Sequence, residues 1–465
     1  MSDAQHAQQS PSLGSPGFAL PGLQLGVATA ATQIEGGDAD TNWHRWADQP
    51  GRIKDGSTPR RAADHWNRVE QDIALLSELG IKHYRMGLEW ARLEPSPGSF
   101  DAAAMAHYRD ELAALRAAGI TPLVTLHHFN NPWWFEAEGS WEHRRSLSVF
   151  ERYVDHVLAG LGDLVDDWVT INEPNVYATK GWLDGDWPPG VTGSIPRAQA
   201  VMQRMAVAHI RTYHTIHRAF PQARVGVANH LRVFAPKRRW HPLDRLSAVG
   251  AEYLFQTALT RAFSVGRFLA PFVQPREVEP GRYYDFQGIN YYTRSSVTRL
   301  RDGVAADVSV NDLGWEVHPA GIVEVARRVH AAYPGPIWIT ENGTADAADA
   351  FRTRYLYDHL REIAGSGLPI ERYYHWCFTD NFEWAEGEEP RFGLVELDYP
   401  SQRRTVRASG RFYADIIANR GVTDEAYRRW VEGRSYPDNR FRPEAAADTT
   451  VGEPVLEVGD ASEPE

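Results

Sequence analysis

The sequence predicts an α/β fold: a single (β/α)8 barrel of the TIM type with enlarged βα loops. Three observations carry that prediction. Eight short runs rich in apolar, β-branched and aromatic residues recur along the 465 residues, separated by stretches with helical spacing. No glycine-rich phosphate loop follows an early strand, which counts against an open doubly wound sheet, the runner-up. Polar residues able to do chemistry stand at the ends of many strands, as on the carboxyl rim of a barrel, and not at one switch point.

The strand candidates are residues 23–30, 83–90, 121–129, 167–174, 224–231, 286–293, 336–343 and 372–381. In the seventh, Ile337, Trp338, Ile339 and Thr340 favour an extended, half- or fully buried backbone, and Gly343 breaks the run. The fourth has the same build, and Pro174 stops it. Helices are expected over 67–79, 102–118 and 201–220, closed by Gly80, Gly119 and Pro221. Strand starts lie about 50 residues apart, against roughly 31 in a minimal barrel, so the surplus falls in loops such as 179–195 and 233–246. Residues 1–16, polar and rich in Gln, Ser and Pro, are expected to be disordered. The same holds for an acidic tail over 443–465, which leaves the barrel domain over 17–442.

Composition sets outer bounds. A chain that is 43% hydrophobic can fill a large core. Its 16 tryptophans offer flat faces of the kind that stack on sugar rings. The net charge of −12, of which residues 444–465 contribute seven acidic groups, disfavours nucleic acid or an anionic membrane as partner. Cys377 is the only cysteine, which excludes an intrachain disulfide and a cysteine-type metal site. No run reaches the roughly 20 apolar residues of a membrane span, and residues 1–17 lack a secretory pattern, so a cytoplasmic location is expected.

The rim candidates follow the strands. Gln33 and Glu35 come after the first strand, and Arg85 points into the barrel from the second if side chains alternate. His127 and His128 end the third, with His128 the functional candidate and His127, on the other pleat face, structural. Asn172 and Glu173 end the fourth, Asn290, Tyr291 and Tyr292 the sixth, and Glu341 the seventh. Trp376, Asn381, Glu383 and Trp384 follow the eighth. A carboxylate at a strand end is costly to bury unless something uses or satisfies it. Two of them facing each other across a cleft are what acid-assisted cleavage of an acetal requires, the plain alternative being helix caps or ion pairs.

Six ordered motifs carry a resemblance. Ala31-Thr32-Gln33-Ile34-Glu35-Gly36, Thr125-Leu126-His127-His128-Phe129, Thr170-Ile171-Asn172-Glu173-Pro174, Gly288-Ile289-Asn290-Tyr291-Tyr292, Ile339-Thr340-Glu341-Asn342-Gly343 and Asn381-Phe382-Glu383-Trp384-Ala385-Glu386-Gly387 resemble glycoside hydrolase family 1, the retaining β-glucosidase and β-galactosidase family. The resemblance implies Glu341 as nucleophile and Glu173 as acid, then base. It gives Asn172 the sugar 2-hydroxyl, makes Arg85 and Asn290 supports of the carboxylates, and sets Tyr292 against the nucleophile and the ring oxygen. Gln33, His128, Glu383 and Trp384 would hold the remaining hydroxyls, Trp376 would lie beneath the ring, and Trp315 would line the entrance. It implies a small β-linked carbohydrate substrate, with no cofactor and no metal. One departure is Asn175, where the family often has a tryptophan that stacks on the leaving group. The expected function is a retaining exo-β-glycosidase on unphosphorylated sugar. A transglycosidase of the same architecture, or an inactive sugar-binding protein, are the alternatives.

Overall fold

A computed structural model describes residues 15–298, 302–305 and 307–437. Eight strands, β1 (Gln24–Ala28), β2 (His83–Gly87), β3 (Thr121–His127), β4 (Asp167–Asn172), β5 (Arg224–His230), β6 (Gln287–Asn290), β7 (Ile337–Asn342) and β8 (Ile370–Trp376), close into a barrel in sequence order. All neighbours are parallel, and the seam is sealed by β8 on β1, with His375 opposite Val27 and Trp376 opposite Ala28. Parallel neighbours need long crossovers. These are provided by α1 (His65–Glu78), α2 (Ala102–Ala117), α3 (Ser146–Leu161), α4 (Ile195–Ala219), α5 (Ala258–Val265), α6 (Ala320–Ala332), α7 (Arg352–Gly365) and α8 (Ala408–Asn419), one after each strand.

Every strand stops short of the carboxyl end predicted for it. The rim residues leave the ladder because their side chains and backbones do other work there. Ala31–Ile34 and Trp90–Leu93 become single helical turns, the second capped by Glu89, and Pro174–Thr179 starts a helix in place of a strand end. α4 starts earlier than its periodicity suggests, because Pro196 fits the first helical turn. The stretch 233–246 is not a plain loop. It holds the strand Val233–Pro236, paired with Arg294–Val297, and the start of the helix Pro242–Glu252.

Side chains alternate between two cores. Val27, Tyr84, Met86, Val124, Trp168, Val225 and Ile339 pack outward against the helices. Leu123, Val169, Phe286, Trp338 and Tyr374 fill the bore. At the amino-terminal end of the bore Asp167 is fully buried. It accepts from Arg224 at 2.8 Å and from Arg372 at 2.7 Å. Both guanidinium groups lie over Trp338, which stacks on Phe286 at 3.6 Å. This plug makes the lower bore solid, so any site must sit at the other end.

Two short elements tie down the chain beyond the barrel. Phe18–Ala19 pairs antiparallel with Gly421–Val422, and Val395–Asp398 forms a hairpin with Arg403–Val406. The expected tail 443–465 lies outside the described residues, as does the expected disordered segment 1–16 apart from its last two residues. Those two are engaged: Ser15 Oγ donates to Asp424 at 2.5 Å, and the Pro16 carbonyl accepts from Tyr357 Oη at 2.9 Å. Among the described residues no helix is long and apolar enough to cross a membrane.

Candidate active site

The carboxyl rim gathers Glu173 and Glu341 into one hydrogen-bonded network. Glu341 lies within β7, whereas Glu173 follows β4 with φ 41°. That left-handed backbone, unusual for a residue with a Cβ, turns the chain sharply into the helix begun by Pro174 and keeps the side chain on the rim. Arg85, fully buried in the bore, donates from Nη1 to Glu341 Oε1 at 2.5 Å and from Nη2 to Asn172 Oδ1 at 2.7 Å. Tyr292 Oη donates to Glu341 Oε2 at 2.6 Å. Asn290 Nδ2 bridges Asn172 Oδ1 at 3.0 Å and Glu173 Oε1 at 2.8 Å. Thr340 Oγ1 donates to Asn290 Oδ1 at 2.6 Å and so fixes which way that amide faces.

These contacts decide where protons rest. Burial pushes the Glu341 carboxyl up to about 7, with the charge of Glu173 adding to it and Arg85 and Tyr292 opposing. On Glu173 burial works upward, and against it work the charge that His230 would bring if protonated, Asn290 and Arg232. The pair therefore keeps one proton up to about pH 7. Both oxygens of Glu341 accept, one from a guanidinium, so a proton there would displace a donor. Glu173 accepts twice on Oε1, from His230 Nδ1 and Asn290 Nδ2, which leaves Oε2 to carry a proton. His230 brings no charge, because its Nε2 accepts from Arg232 Nε at 2.8 Å and the ring is the neutral Nδ1–H form. Arg85 is then the only cation in contact with the pair among the described residues. The charge rests on Glu341 and the proton on Glu173.

The other predicted residues surround this pair. Gln33, in the turn after β1, donates from Nε2 to Asn381 Oδ1, the Phe382 carbonyl and Glu383 Oε2 at 3.0–3.3 Å. Its Oε1 is buried without a partner among the described residues. His128, after β3, accepts from Asn172 Nδ2 at 3.0 Å, so its Nδ1 carries the hydrogen, buried and likewise unpartnered. Burial and the nearby Arg85 hold this imidazole well below its usual value and therefore neutral. Its ring centre lies 5.9 Å from those of both Trp376 and Trp384. Burial, then the charge of Glu341, pushes Glu383 up to about 8, and no cation pairs with it among the described residues. Trp315 is half-buried, with its ring 5.6 Å from Tyr292 and 6.0 Å from Phe392. His127 faces the helices, against Trp141 and Tyr177, as its place on the opposite pleat face suggests.

Three residues outside the predicted set shape the site. His230 and Arg232 act on Glu173 as described. The signal for them in the sequence is a histidine at the end of the fifth strand followed two residues later by an arginine. Glu89 accepts from Thr32 Oγ1 at 2.6 Å and from Asn130 Nδ2 at 2.9 Å, clipping together the loops that bear Gln33 and His128. Asn175, at the departure position, donates from Nδ2 to the carbonyls of His230 and Phe255 and offers no aromatic face.

Known proteins resemble this chain over most of its length. The chain is 31% identical to Beta-glucosidase A of Thermotoga maritima over 87% of its own length and 98% of that protein. It is 27% identical to Beta-galactosidase of Pyrococcus woesei over 88% of its length and 98% of that protein. A solved beta-glycosidase from Pyrococcus horikoshii superposes with a TM-score of 0.80 at 33% identity, covering 89% of this chain and 98% of that one. The profile of Glycosyl hydrolase family 1 matches residues 21–271 and 281–422, which contain every strand of the barrel and both rim glutamates, and the chain belongs to that family.

Proposed function

We propose that this protein is a retaining exo-β-glycosidase that removes one unphosphorylated sugar from the non-reducing end of small β-glycosides. The observation that carries the reading is the contrast between the two carboxyls. Glu341 has a donor on each oxygen, one of them Arg85, and is an anion ready to attack the anomeric carbon. Glu173 takes both its hydrogen bonds on Oε1 and keeps Oε2 for the proton that the leaving group needs. Attack gives a glycosyl-enzyme and consumes the charge of Glu341. Glu173, now ionised, then takes a proton from water, and the second displacement restores the anomeric configuration. Asn172 has one amide hydrogen left for the 2-hydroxyl, a contact that strengthens as the ring gains positive charge.

Gln33 Oε1, His128 Nδ1 and Glu383 are positioned to hold the other hydroxyls, with Trp376 and Trp384 as apolar faces. Glu383, with no cation beside it among the described residues, offers nothing to neutralise a 6-phosphate. The relatives named beta-glucosidase and beta-galactosidase support glucosides and galactosides as substrates. We also assign the enzyme to the cytoplasm, in keeping with its single, buried cysteine. A panel of nitrophenyl β-glycosides (gluco, galacto, fuco, manno, xylo and 6-phospho-gluco) tests the reading, with proton NMR of the first-formed sugar. Turnover of the gluco or galacto compound with release of the β-anomer is expected. Release of the α-anomer, or activity confined to the 6-phosphate, would overturn it.

A further inference from the structure

One polar couple on the rim touches the acid without a step of its own: the buried His230, the last residue of β5, and the partly buried Arg232 just beyond it. Resting on the assignment of Glu173 as the acid, we propose that His230 is a positioning residue that confines the proton of Glu173 to Oε2, and that Arg232 locks His230 in the tautomer able to do so.

The geometry is specific at each link. His230 Nδ1 lies 3.0 Å from Glu173 Oε1, and Arg232 Nε lies 2.8 Å from His230 Nε2. A guanidinium N–H cannot accept, so Nε2 must, and the single ring hydrogen falls on Nδ1, facing Glu173. The ring cannot turn away: it stacks on Tyr292 at 5.9 Å and meets the edge of Phe255 at 6.1 Å. Arg232 is pinned as well. Its backbone N–H and carbonyl are both held by the buried Gln256 side chain at 2.9 Å, and its Nη1 reaches Asp302 Oδ2 at 3.2 Å. As Glu173 gives its proton to the leaving group, negative charge grows on the carboxylate, and the Nδ1–H bond to it becomes charge-assisted and stronger. A cation thus acts on the acid through one neutral ring, without a second proton entering the site.

Other charges act on the same group and are part of the balance. Glu341 from β7 and Glu383 from the loop after β8 work against ionisation of Glu173. Arg85 on β2 reaches it only through Asn172 and Asn290. Asp302 and Asp184 face Arg232 and moderate its charge, and Tyr292 stays a neutral donor because burial raises it well above its usual value.

Aryl β-glucosides whose phenols span a range of acidity provide the test, applied to the intact protein and to His230→Phe, His230→Asn, Arg232→Met and Glu173→Gln. Loss of a donor to a carboxylate raises its pKa, so His230→Phe should move the alkaline limb of kcat/KM up by about one pH unit. It should also cost about tenfold on poor leaving groups while barely touching dinitrophenyl glucoside, which needs no acid. His230→Asn, whose amide can stand in for Nδ1–H, should recover most of the loss, and Arg232→Met should show the same leaving-group split in weaker form. Equal losses on good and poor leaving groups with an unmoved alkaline limb would reduce His230 to a packing residue and overturn the proposal. If His230→Phe does not fold, Arg232→Met decides alone, and absence of the split there counts against it. Full activity of Glu173→Gln on poor leaving groups would instead defeat the acid assignment itself, whatever the His230 variants show.

Discussion

The two ends of the barrel bore are built from the same residue types and reach opposite results. At the lower end one carboxylate, Asp167, is held by two guanidinium groups, both of which also lie over Trp338. At the upper end, among the described residues, three carboxyls, Glu173, Glu341 and Glu383, stand near one guanidinium, Arg85, which touches only Glu341. Asp167, Glu173 and Glu341 are all buried, so exposure of the carboxylate does not explain the difference. The ratio of cation to carboxylate does. A buried carboxylate with excess cation is a settled structural group, whereas carboxyls short of cation keep protons into the neutral range and can trade them. The lower plug holds the barrel together; the upper rim is where charge has been left unbalanced for use.

The widest separation between the ends should come from Glu341→Ala. It should lower turnover on the order of 10⁴-fold or more at a smaller cost in stability than loss of the plug, because Arg85 keeps its bonds to Thr125, the Thr340 carbonyl and Asn172, and the repulsion between the two glutamates is relieved. Added azide should restore part of the rate and yield the α-glycosyl product. Asp167→Ala should do the reverse. Breaking the plug leaves the buried Arg372 and the half-exposed Arg224 without their anion, and the loss falls mainly on Arg372, so about 3 kcal/mol of stability should be lost in denaturant melts, with kcat per folded molecule little changed. A large loss of turnover at unchanged stability in that variant would erase the distinction between the two ends.

Glu383→Gln should give the smallest of the three effects and refine the comparison. With a hydroxyl partner mispaired, kcat/KM on glucosides should fall on the order of tenfold to a hundredfold, and less on xylosides, which lack the 6-hydroxyl arm. The variant also reports on charge. The folded protein holds the Glu383 carboxyl near 8 against an ordinary 4.5, so between those values the folded state binds a proton that the unfolded chain has released. Stability from this group therefore declines as pH rises through that window. Glutamine removes the slope, and the Tm advantage of the variant should widen from about pH 5 to 8. An unchanged gap would mean that the rim is better compensated than its contacts indicate.

What was legible in the sequence was whatever is written locally. Each strand is an apolar run with a stop, so all eight could be read, and the motifs at their ends named the residues that now surround Glu173 and Glu341. What was not legible depends on partners far away in the chain. Asp167, Arg224 and Arg372 each open or nearly open a strand, and nothing nearby says that they meet in one plug. The pairing of Val233–Pro236 with Arg294–Val297 is equally non-local. Strand ends were overrun because Glu89, Phe129 and Glu173 look extended in sequence, whereas Glu89 caps the turn begun by Trp90 and Phe129 and Glu173 take left-handed backbones. His230 went unread because its role exists only through Glu173 on one side and Arg232 on the other.

The small ribbon in which Phe18 lies opposite Val422 and Ala19 opposite Gly421 has a wider consequence. It joins the stretch leading into β1 to the stretch leaving α8, at the end of the barrel away from the rim, and Asp424 binding the Gly17 amide tightens the clasp. In effect the ribbon closes the barrel polypeptide into a loop at its base, while the chain beyond it runs along α7, where Arg434 reaches the Ala350 carbonyl and Tyr436 meets Phe351 and Asp358. A chain rewired at this clasp and reopened in another surface loop would keep the same ring of strand neighbours.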